Sequence, residues 1–354
     1  MASSSLPLTM RAWQFTSTHG GLEKNLTLNS SAALPPHSVS DLGKDKVLVQ
    51  VLFTALNPVD YKIAELPVMG RLAIRRPSSP GLDFAGRVAA SGSQSDFKVG
   101  QLVFGRLDQP TQFGALAEYT VARTGALVAV PEGVQAQDAA CVGTAGLTAY
   151  QSIVPNVKEG NGNRVFINGG SGGTGVWGIQ IAKALGCYVV TSCSSKNAEL
   201  CKSLGADRVV DYNSEDVVEA LTKIAADSSS GPGRKFDLLV DNVGASGRLY
   251  WNCHHFTSHG ARYVQVGAEF SGHSTLDLVM KMGWPGFLGG GKRKFHMLSV
   301  KSDKRQLEQI GRWMSEGKAK AVVDQVLRME DAPKAFEQLK KKHTRGKILV
   351  AVSE

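Results

Sequence analysis

The sequence has few cysteines, and their spacing does not pair them. The five are Cys141, Cys187, Cys193, Cys201 and Cys253, an odd number without a C-x-x-C motif. This pattern argues against a disulfide framework and favours a reducing compartment. We therefore expect a cytoplasmic protein.

Long apolar runs and targeting signals are also lacking. No segment is long and apolar enough to cross a membrane, and residues 1–9 are Ser-rich without the arginines of a transit peptide. The last three residues match no targeting signal. The composition, 42% apolar and 20% charged, is that of a soluble globular protein, and we expect no membrane partner.

Basic residues outnumber acidic ones, and the formal net charge is +9. Such a balance is compatible with nucleic acid, an anionic membrane or an acidic small molecule. The Lys and Arg residues are spread along the chain without a basic stripe of interleaved aromatics, so we expect no nucleic-acid partner. We interpret the clusters at 292–294 and 340–342 as solvated surface, with phosphate attraction as the alternative.

The length of 354 residues predicts two domains, and the pattern of elements changes near residue 140. The first third has strand-like segments without long helices, which predicts an irregular β-domain: Val47–Leu56, Gly86–Ser91, Gln101–Gly105 and Leu116–Ala122. Alternating strands and helices then predict an α/β domain with a doubly wound parallel sheet. The last strand, Lys347–Val352, resembles the first domain. We expect a discontinuous first domain at 1–138 and 316–354, around a second at 139–315.

Two apolar stretches keep more than one interpretation. Phe270–Gly291 holds Met280, Trp284 and Phe287 beside a Gly-Gly-Gly run. It could form a lid or substrate wall, or a dimer contact. Leu66–Ile74 could line an apolar substrate pocket.

A glycine-rich turn follows the predicted strand Arg164–Asn168 and precedes the predicted helix Val176–Leu185. In such a G-x-G-x-x-G turn, the first glycine permits the tight turn, the second admits the pyrophosphate and the third lets helix and strand pack. The helix N-terminus then favours the phosphates. We assign the dinucleotide phosphates to this turn: Gly170, Ser171, Gly172, Gly173, Thr174 and Gly175.

The end of the second strand of this domain indicates which dinucleotide is bound. An NAD site usually has an acid there for the ribose 2′-hydroxyl. This sequence has Ser192-Cys193-Ser194-Ser195-Lys196, and its next acid is Glu199. Hydroxyls and a lysine suit a 2′-phosphate, so we predict NADPH as the cofactor.

Four segments in combination resemble the zinc-independent quinone oxidoreductase and enoyl reductase-like branch of the medium-chain dehydrogenase/reductase superfamily. Asn57–Lys62 resembles its N-P-x-D segment, Pro80–Gly86 its P-G-x-D-x-x-G turn, and Gly143–Tyr150 the start of its inter-domain helix. The glycine turn and Leu204–Asp207 follow in the expected order. The resemblance extends from about residue 10 to the end.

The resemblance implies a GroES-like β-domain plus a Rossmann domain, with the active site in the cleft between them, and a homodimer. It places Asn57 and Thr148 beside the nicotinamide ring. It implies further cofactor contacts from two loops and from the adenosine end: Asn242, Val243 and Gly244; Val266 and Gly267; Ser192, Ser194, Lys196 and Tyr212.

Zinc ligands of the superfamily's zinc-dependent members are missing from the sequence. Their first cysteine position falls within Asn57–Asp60, their G-H-E turn reads Gly81-Leu82-Asp83, and no cysteine precedes Cys141. We interpret His254, His255, His259 and His273 as surface or helix residues. A catalytic zinc needs three protein ligands, so we predict no metal.

Without a metal to stabilise an alkoxide, the hydride acceptor must already be electrophilic, as a quinone or an α,β-unsaturated carbonyl is. The enzyme must then hold an enolate oxygen and supply a proton. Tyr61 and Lys62 are our candidates, with core packing and an exposed charge as their structural alternatives; water could also deliver the proton. We interpret Asp60 as orienting Asn57 or a turn.

The predicted function is therefore an NADPH-dependent reductase acting on a small electrophilic molecule. Its substrate could be an enone or quinone, an enoyl thioester carried by a synthase or coenzyme A, or a specialised secondary metabolite. The alternative from another class is a non-catalytic NADPH-binding protein, used in the manner of a crystallin or an RNA-binding protein.

Overall fold

The computed structural model describes residues 6–66, 70, 74–227, 234–244, 247–267, 272–284 and 290–353. The chain divides into two compact units. Unit 1 comprises Met1–Leu147 and Lys301–Glu354, and unit 2 comprises Thr148–Val300. No helix in the described part of the chain is long and apolar enough to span a membrane.

Strands and helices are numbered in chain order. The strands are β1 (Thr9–Gln14), β2 (Thr27–Ala33), β3 (Lys46–Ala55), β4 (Asp83–Ser91), β5 (Leu102–Arg106), β6 (Tyr119–Arg123), β7 (Leu127–Ala129), β8 (Arg164–Asn168), β9 (Tyr188–Cys193), β10 (Arg208–Asp211), β11 (Phe236–Asp241), β12 (Thr257–Gln265), β13 (Lys294–Met297), β14 (Val323–Arg328) and β15 (Lys347–Ala351). The helices are α1 (Val39–Leu42), α2 (Pro58–Lys62), α3 (Ala136–Ala140), α4 (Gly143–Ile153), α5 (Gly173–Ala184), α6 (Ala198–Ser203), α7 (Val217–Ala226), α8 (Arg248–Asn252), α9 (Gly272–Gly283), α10 (Lys304–Ser315) and α11 (Ala332–Lys340).

Unit 1 is built on a mainly antiparallel sheet with the strand order β14-β15-β3-β4-β5-β7, in which β6 also pairs with β3. β3 is central, and most of its apolar residues are buried, with Val47, Val49 and Val51 at 0% exposure. β15 joins the sheet beside β3, antiparallel to it. The C-terminal strand therefore completes the sheet that the N-terminal part begins.

Unit 2 contains a parallel sheet with the strand order β10-β9-β8-β11-β12-β13. Strands β8, β9 and β11 are short apolar runs, as expected when helices cover both faces of a parallel sheet. The order in which the chain adds strands reverses between β8 and β11: one half of the sheet extends from β8 to β10, and the other from β11 to β13. In such a fold, ligands bind outside the carboxyl ends of the strands at this reversal. The mixed α/β architecture is the predicted one.

The limits of the units differ from the predicted domain limits, which were after residues 138 and 315. The structure places them after Leu147 and Val300 because α10 packs against β7 of unit 1. Gly311 of α10 lies against Pro131, and Ile310 lies against Gly146. The apolar stripe of α10 predicts a helix, but it does not indicate which sheet the helix covers.

Of the two stretches left open by the sequence, the structure describes only parts. Helix α9 occupies Gly272–Gly283, and Leu276, Val279 and Met282 on it are exposed. Met69, Leu72 and Phe287 lie outside the described residues. The role of either stretch as a lid, pocket wall or interface remains a prediction.

Candidate active site

The glycine turn of unit 2 connects β8 to α5. Gly172 is the N-cap of α5, with φ −78° and ψ 172°, so the first backbone N–H groups of the helix point away from the helix. These groups and the helix dipole attract an anion. The backbone N–H of Gly170 donates to the carbonyl oxygen of Ser192, which ties the turn to β9.

Two of the three motif glycines are required by the protein's own packing. A Cβ on Gly170 would lie 2.0 Å from Oγ1 of Thr191, and a Cβ on Gly175 would lie 2.2 Å from the carbonyl oxygen of Gly169. Gly172 differs, since its Cβ would meet only the carbonyl oxygen of Gly169 at 3.7 Å, an ordinary contact. Neither packing nor backbone strain explains this glycine, whereas a ligand lying against the turn does. The turn therefore fits a dinucleotide.

A chain of buried hydrogen bonds lies beneath the turn. Ser192 donates to Oδ1 of Asn168 at 2.6 Å and accepts from the N–H of Gly169 at 3.0 Å. Asn168 donates to Asp241 at 2.8 Å, and Tyr263 donates to the other Asp241 oxygen at 2.6 Å. Burial and the charge of Asp241 raise the pKa of Tyr263, so it remains a donor. Ser192 thus shapes the turn from inside the protein.

The loops after β11 and β12 pack backbone to backbone. A Cβ on Gly267 would lie 2.4 Å from the carbonyl oxygen of Asn242, and Val266 donates its N–H to Asp241 at 2.9 Å. Both polar atoms of the Asn242 amide are buried and lack a hydrogen-bond partner among the described residues. Val243 beside it is 44% exposed. A buried amide without partners suits a polar ligand.

The end of β9 presents hydroxyls and a lysine to solvent. Asn197 donates to Ser171 of the glycine turn at 3.1 Å and to Ser194 at 3.4 Å, which holds the two segments together. Lys196 is exposed. Glu199, the next acid along the chain after Lys196, pairs instead with Lys202 at 2.9 Å.

A cavity of about 520 Å³ opens at the same end of the sheet. It is lined by Asn168, residues 212–218, Arg248 and Leu249. Tyr212 is 54% exposed there. Ser194 and Lys196 follow the adjacent strand β9, and the cavity lining itself includes the acids Glu215 and Asp216.

In unit 1, Asn57 begins the short helix α2. The Asn57 backbone N–H donates to Oδ2 of Asp60 at 2.7 Å, one half of a capping box, and Pro58 occupies the first helical turn. The Asn57 side chain donates to Asp83 at 2.8 Å and to the carbonyl oxygen of Ala55 at 3.0 Å. Asn57 is 4% exposed, and its amide is bound within the protein.

Asp60 is buried beside Asn57, as the predicted orienting role requires. Its second oxygen, Oδ1, has no hydrogen-bond partner among the described residues. Burial, followed by the charge of Asp83, raises the pKa of Asp60 from 3.8 to about 7. The carboxyl therefore carries a proton over part of the neutral range.

The segments that correspond to zinc-ligand positions are filled by this network. Asp83 accepts from the N–H and Oγ1 of Thr144 at 2.7 and 2.6 Å, and Asn57 and Lys347 approach its other oxygen. A lysine ammonium and an amide are not zinc ligands. The described residues contain no group of three or more His, Cys, Asp or Glu that could hold a metal. These residues do not fit a zinc ion.

Tyr61 packs in the core of unit 1, where it is 8% exposed. Lys340 lies 4.9 Å from its ring centroid and pairs with Glu23 and Glu65. No residue in the described part of the chain forms a hydrogen bond with the Tyr61 hydroxyl. Burial raises its pKa, although Lys340 opposes this effect, so the hydroxyl stays protonated at neutral pH.

The structure groups the predicted site residues within each unit. Asn57, Tyr61 and Lys62 share α2 in unit 1, where Lys62 is half-buried. Thr148 lies within α4, at the first residue of unit 2, and its carbonyl accepts from Ser152 at 2.7 Å. The predicted nucleotide residues all lie at the carboxyl ends of β8 to β12 in unit 2.

Sequence reasoning missed the residues that support these groups. Lys347, Asn168, Asp241 and Tyr263 belong to the hydrogen-bond networks of the two units, yet none of the four lies in a segment that the sequence analysis singled out for chemistry. A lysine opening the apolar run Ile348–Val350 was the one available signal.

Comparisons with known proteins agree with this architecture. The family model for the alcohol dehydrogenase GroES-like domain matches residues 43–132, and the model for zinc-binding dehydrogenase matches residues 204–350. A trans-enoyl reductase of Aspergillus terreus, pgmF, is 50% identical over 99% of both chains. A chloroplastic quinone-oxidoreductase homologue of Spinacia oleracea is 30% identical over 88% of this chain and 92% of its own.

Among solved structures, the quinone oxidoreductase from Coxiella burnetii superposes with a TM-score of 0.79 and 28% identity. The superposition covers 97% of this chain and 99% of that one. The superfamily's fold implies a nicotinamide cofactor. The chain belongs to the medium-chain dehydrogenase/reductase superfamily, as an oxidoreductase of its enoyl reductase and quinone oxidoreductase type.

Proposed function

We propose that this protein is an NADPH-dependent reductase that transfers hydride to an activated C=C bond of an enone or enoyl thioester, or to a quinone. The observation that carries the proposal is the turn at Gly172, where the protein's own packing does not require glycine and a bound phosphate would. The similarity to a trans-enoyl reductase and to a quinone-oxidoreductase homologue supports the class of acceptor.

The exposed end of β9 supports NADPH over NADH. Ser194 and Lys196 offer a hydroxyl and a cation, and Glu199, the next acid along the chain, is paired with Lys202. A 2′-phosphate on the adenosine would receive a charge-assisted hydrogen bond from Lys196. An acid in that place would repel it.

We expect Lys196→Ala to weaken NADPH binding about 10-fold, close to 1.4 kcal/mol, because one phosphate contact is lost. Binding of NADH should change less than twofold. Lys202→Ala is the matched control, since this lysine lies nearby but pairs with Glu199. Titration of both nucleotides by fluorescence tests the assignment, and equal losses for NADPH and NADH would contradict it.

When bound, NADPH would supply the hydride. The chain's own residues must then hold the carbonyl oxygen on which negative charge develops. They must also deliver a proton to the carbon atom adjacent to that carbonyl. The neutral Tyr61 hydroxyl can donate a hydrogen bond and a proton. Lys62, the next residue of α2, is the alternative donor. Asp60 and Asn57 orient this helix.

We expect Tyr61→Phe to lower kcat roughly 100-fold, because it removes a proton donor. The ring still fills the core beneath Lys340, so thermal stability should change little. Lys62→Met serves as the parallel variant. Turnover with an enone at several pH values distinguishes the two candidate donors. If only Lys62→Met loses activity, the proton donor is Lys62.

The relative's name favours an enoyl group as substrate. Such a group is activated either as a free enone or as a thioester on a synthase carrier or coenzyme A. We propose the thioester as the leading substrate and a homodimer in the cytoplasm as the working form. The free and buried state of the five cysteines is consistent with a reducing compartment.

The direct test is NADPH oxidation against a panel of enones, enoyl thioesters and quinones, with products identified by mass. We expect products heavier by two hydrogens in at least one class. Tight NADPH binding without turnover of any acceptor would instead support the non-catalytic alternative.

A further inference from the structure

The ammonium group of Lys347, the first residue of β15, is buried inside unit 1. The side chain is 3% exposed, and Nζ lies 3.8 Å from Oδ2 of the fully buried Asp83. Nζ donates to the carbonyl oxygen of Leu56 at 2.8 Å and to Oδ1 of Asn57. A buried charge is strongly unfavourable unless it is paired and hydrogen-bonded. The two hydrogen-bond acceptors and the nearby carboxylate therefore explain how the lysine is tolerated.

The same contacts determine the orientation of the Asn57 amide. Its oxygen faces the ammonium of Lys347, and its nitrogen faces the carboxylate of Asp83 at 2.8 Å. A rotated amide would place its N–H groups against Lys347 and its oxygen against Asp83. Both contacts would then be repulsive, so the charges on either side hold one orientation.

Asp83 extends the network to another element. Its Oδ1 accepts from Thr144 in the first turn of α4, and a Cβ on Gly143 would lie 2.5 Å from this oxygen. Arg106 in turn donates to Oγ1 of Thr144 at 3.0 Å. The network thus joins β15, the start of α2 and the start of α4, all within unit 1.

We propose that Lys347 is a positioning residue that holds α2, with Tyr61 and Lys62, in its reactive arrangement. Its ammonium is the internal cation of a site whose two chain segments, Asn57–Asp60 and Gly81–Asp83, correspond to zinc-ligand positions. The inference rests on the proposed function for the reaction itself, but the network is a property of the folded chain.

Three variants test the role: Lys347→Met, Asp83→Asn and the two together. Of the three variants, Lys347→Met should lower the melting temperature most, because Asp83 loses its nearest cation. The double variant should recover much of that loss, because neither charge remains. Its kcat should nevertheless stay about 100-fold below wild type, since a small misplacement of reacting groups has such an effect. Binding of NADPH should change less than twofold.

Hydrogen exchange of residues 57–66, measured on the full chain without substrate, is the second readout. It should be faster in both variants that lack Lys347. Lys281→Met is the matched control, because this buried lysine pairs with Asp277 in unit 2 at 2.6 Å. It should lower stability without changing exchange at 57–66.

Recovery of kcat together with the melting temperature in the double variant would reduce Lys347 to a stabilising residue and overturn the proposal. Unchanged exchange at 57–66 would also overturn it. A wild-type protein without turnover on any acceptor would count against the proposed function instead, and exchange would still decide the role of Lys347.

Discussion

Replacing Gly172 by valine should weaken NADPH binding at least about 100-fold, or 2.7 kcal/mol, and leave the fold intact. The backbone at this residue is extended, at φ −78° and ψ 172°, which valine adopts readily. The nearest protein atom to a new Cβ would lie 3.7 Å away. The Cβ of the added side chain would therefore enter the space in which we place the pyrophosphate.

Gly175→Ala provides the contrast. Its Cβ would lie 2.2 Å from the carbonyl oxygen of Gly169, so helix and turn must separate. We expect a loss of about 1–3 kcal/mol in the free energy of unfolding. Without nucleotide, Gly172→Val should melt close to the wild-type temperature, because the poorer N-cap offsets the restriction of the unfolded chain.

Isothermal titration with NADPH and thermal unfolding of both variants separate the two effects. Gly172→Val should lose NADPH affinity but keep its melting temperature, whereas Gly175→Ala should also have a lower melting temperature. Wild-type affinity in Gly172→Val would remove the phosphate-binding role of the turn.

The elements that were predicted well are those whose signal is local. Arg164–Asn168 has the predicted bounds, because it is a short β-forming segment bounded by turn residues. The glycine turn is also local, since strand, turn and helix follow one another. In contrast, β2 (Thr27–Ala33) is largely exposed and polar, and it exists through its pairing with β1. No periodicity in its own residues indicates a strand.

The support of the site could not be predicted for a related reason. Lys347 and Asn57 are 290 residues apart, and their contact depends on β15 lying beside β3. From the sequence alone, a lysine at this position suggests an exposed charge. Only the assembled sheet shows that it is buried and paired. Tyr61 and Lys62 were candidates from their motif alone, whereas the contacts around their helix became apparent from the fold.

Asp60→Asn should make the protein more stable than wild type at pH 8 by up to about 4 kcal/mol. The pKa of Asp60 is raised from 3.8 to about 7, chiefly by burial and then by the charge of Asp83, and a rise of this size corresponds to that energy. The carboxyl is 5% exposed, so solvent screens it little. An amide can still accept from the N–H of Asn57.

The native state keeps the Asp60 proton up to about pH 7, whereas the unfolded chain releases it near its ordinary value of 3.8. Between these values the native state binds more protons, so this group's contribution to stability falls as pH rises. It is fully present below about pH 4 and lost above about pH 7. Lys347 and Arg106 favour the charged form, but burial outweighs them.

Urea unfolding of wild type and Asp60→Asn at pH 5, 6, 7 and 8 measures this contribution directly. The difference in the free energy of unfolding should shift in favour of the variant at each step up to about pH 7 and then level off. Asp45→Asn is the control, because this exposed acid pairs with Arg123 at 3.2 Å and contributes under about 1 kcal/mol. A difference for Asp60→Asn that does not vary with pH would show that the carboxyl is ionised throughout, held in that form by Lys347 and Arg106.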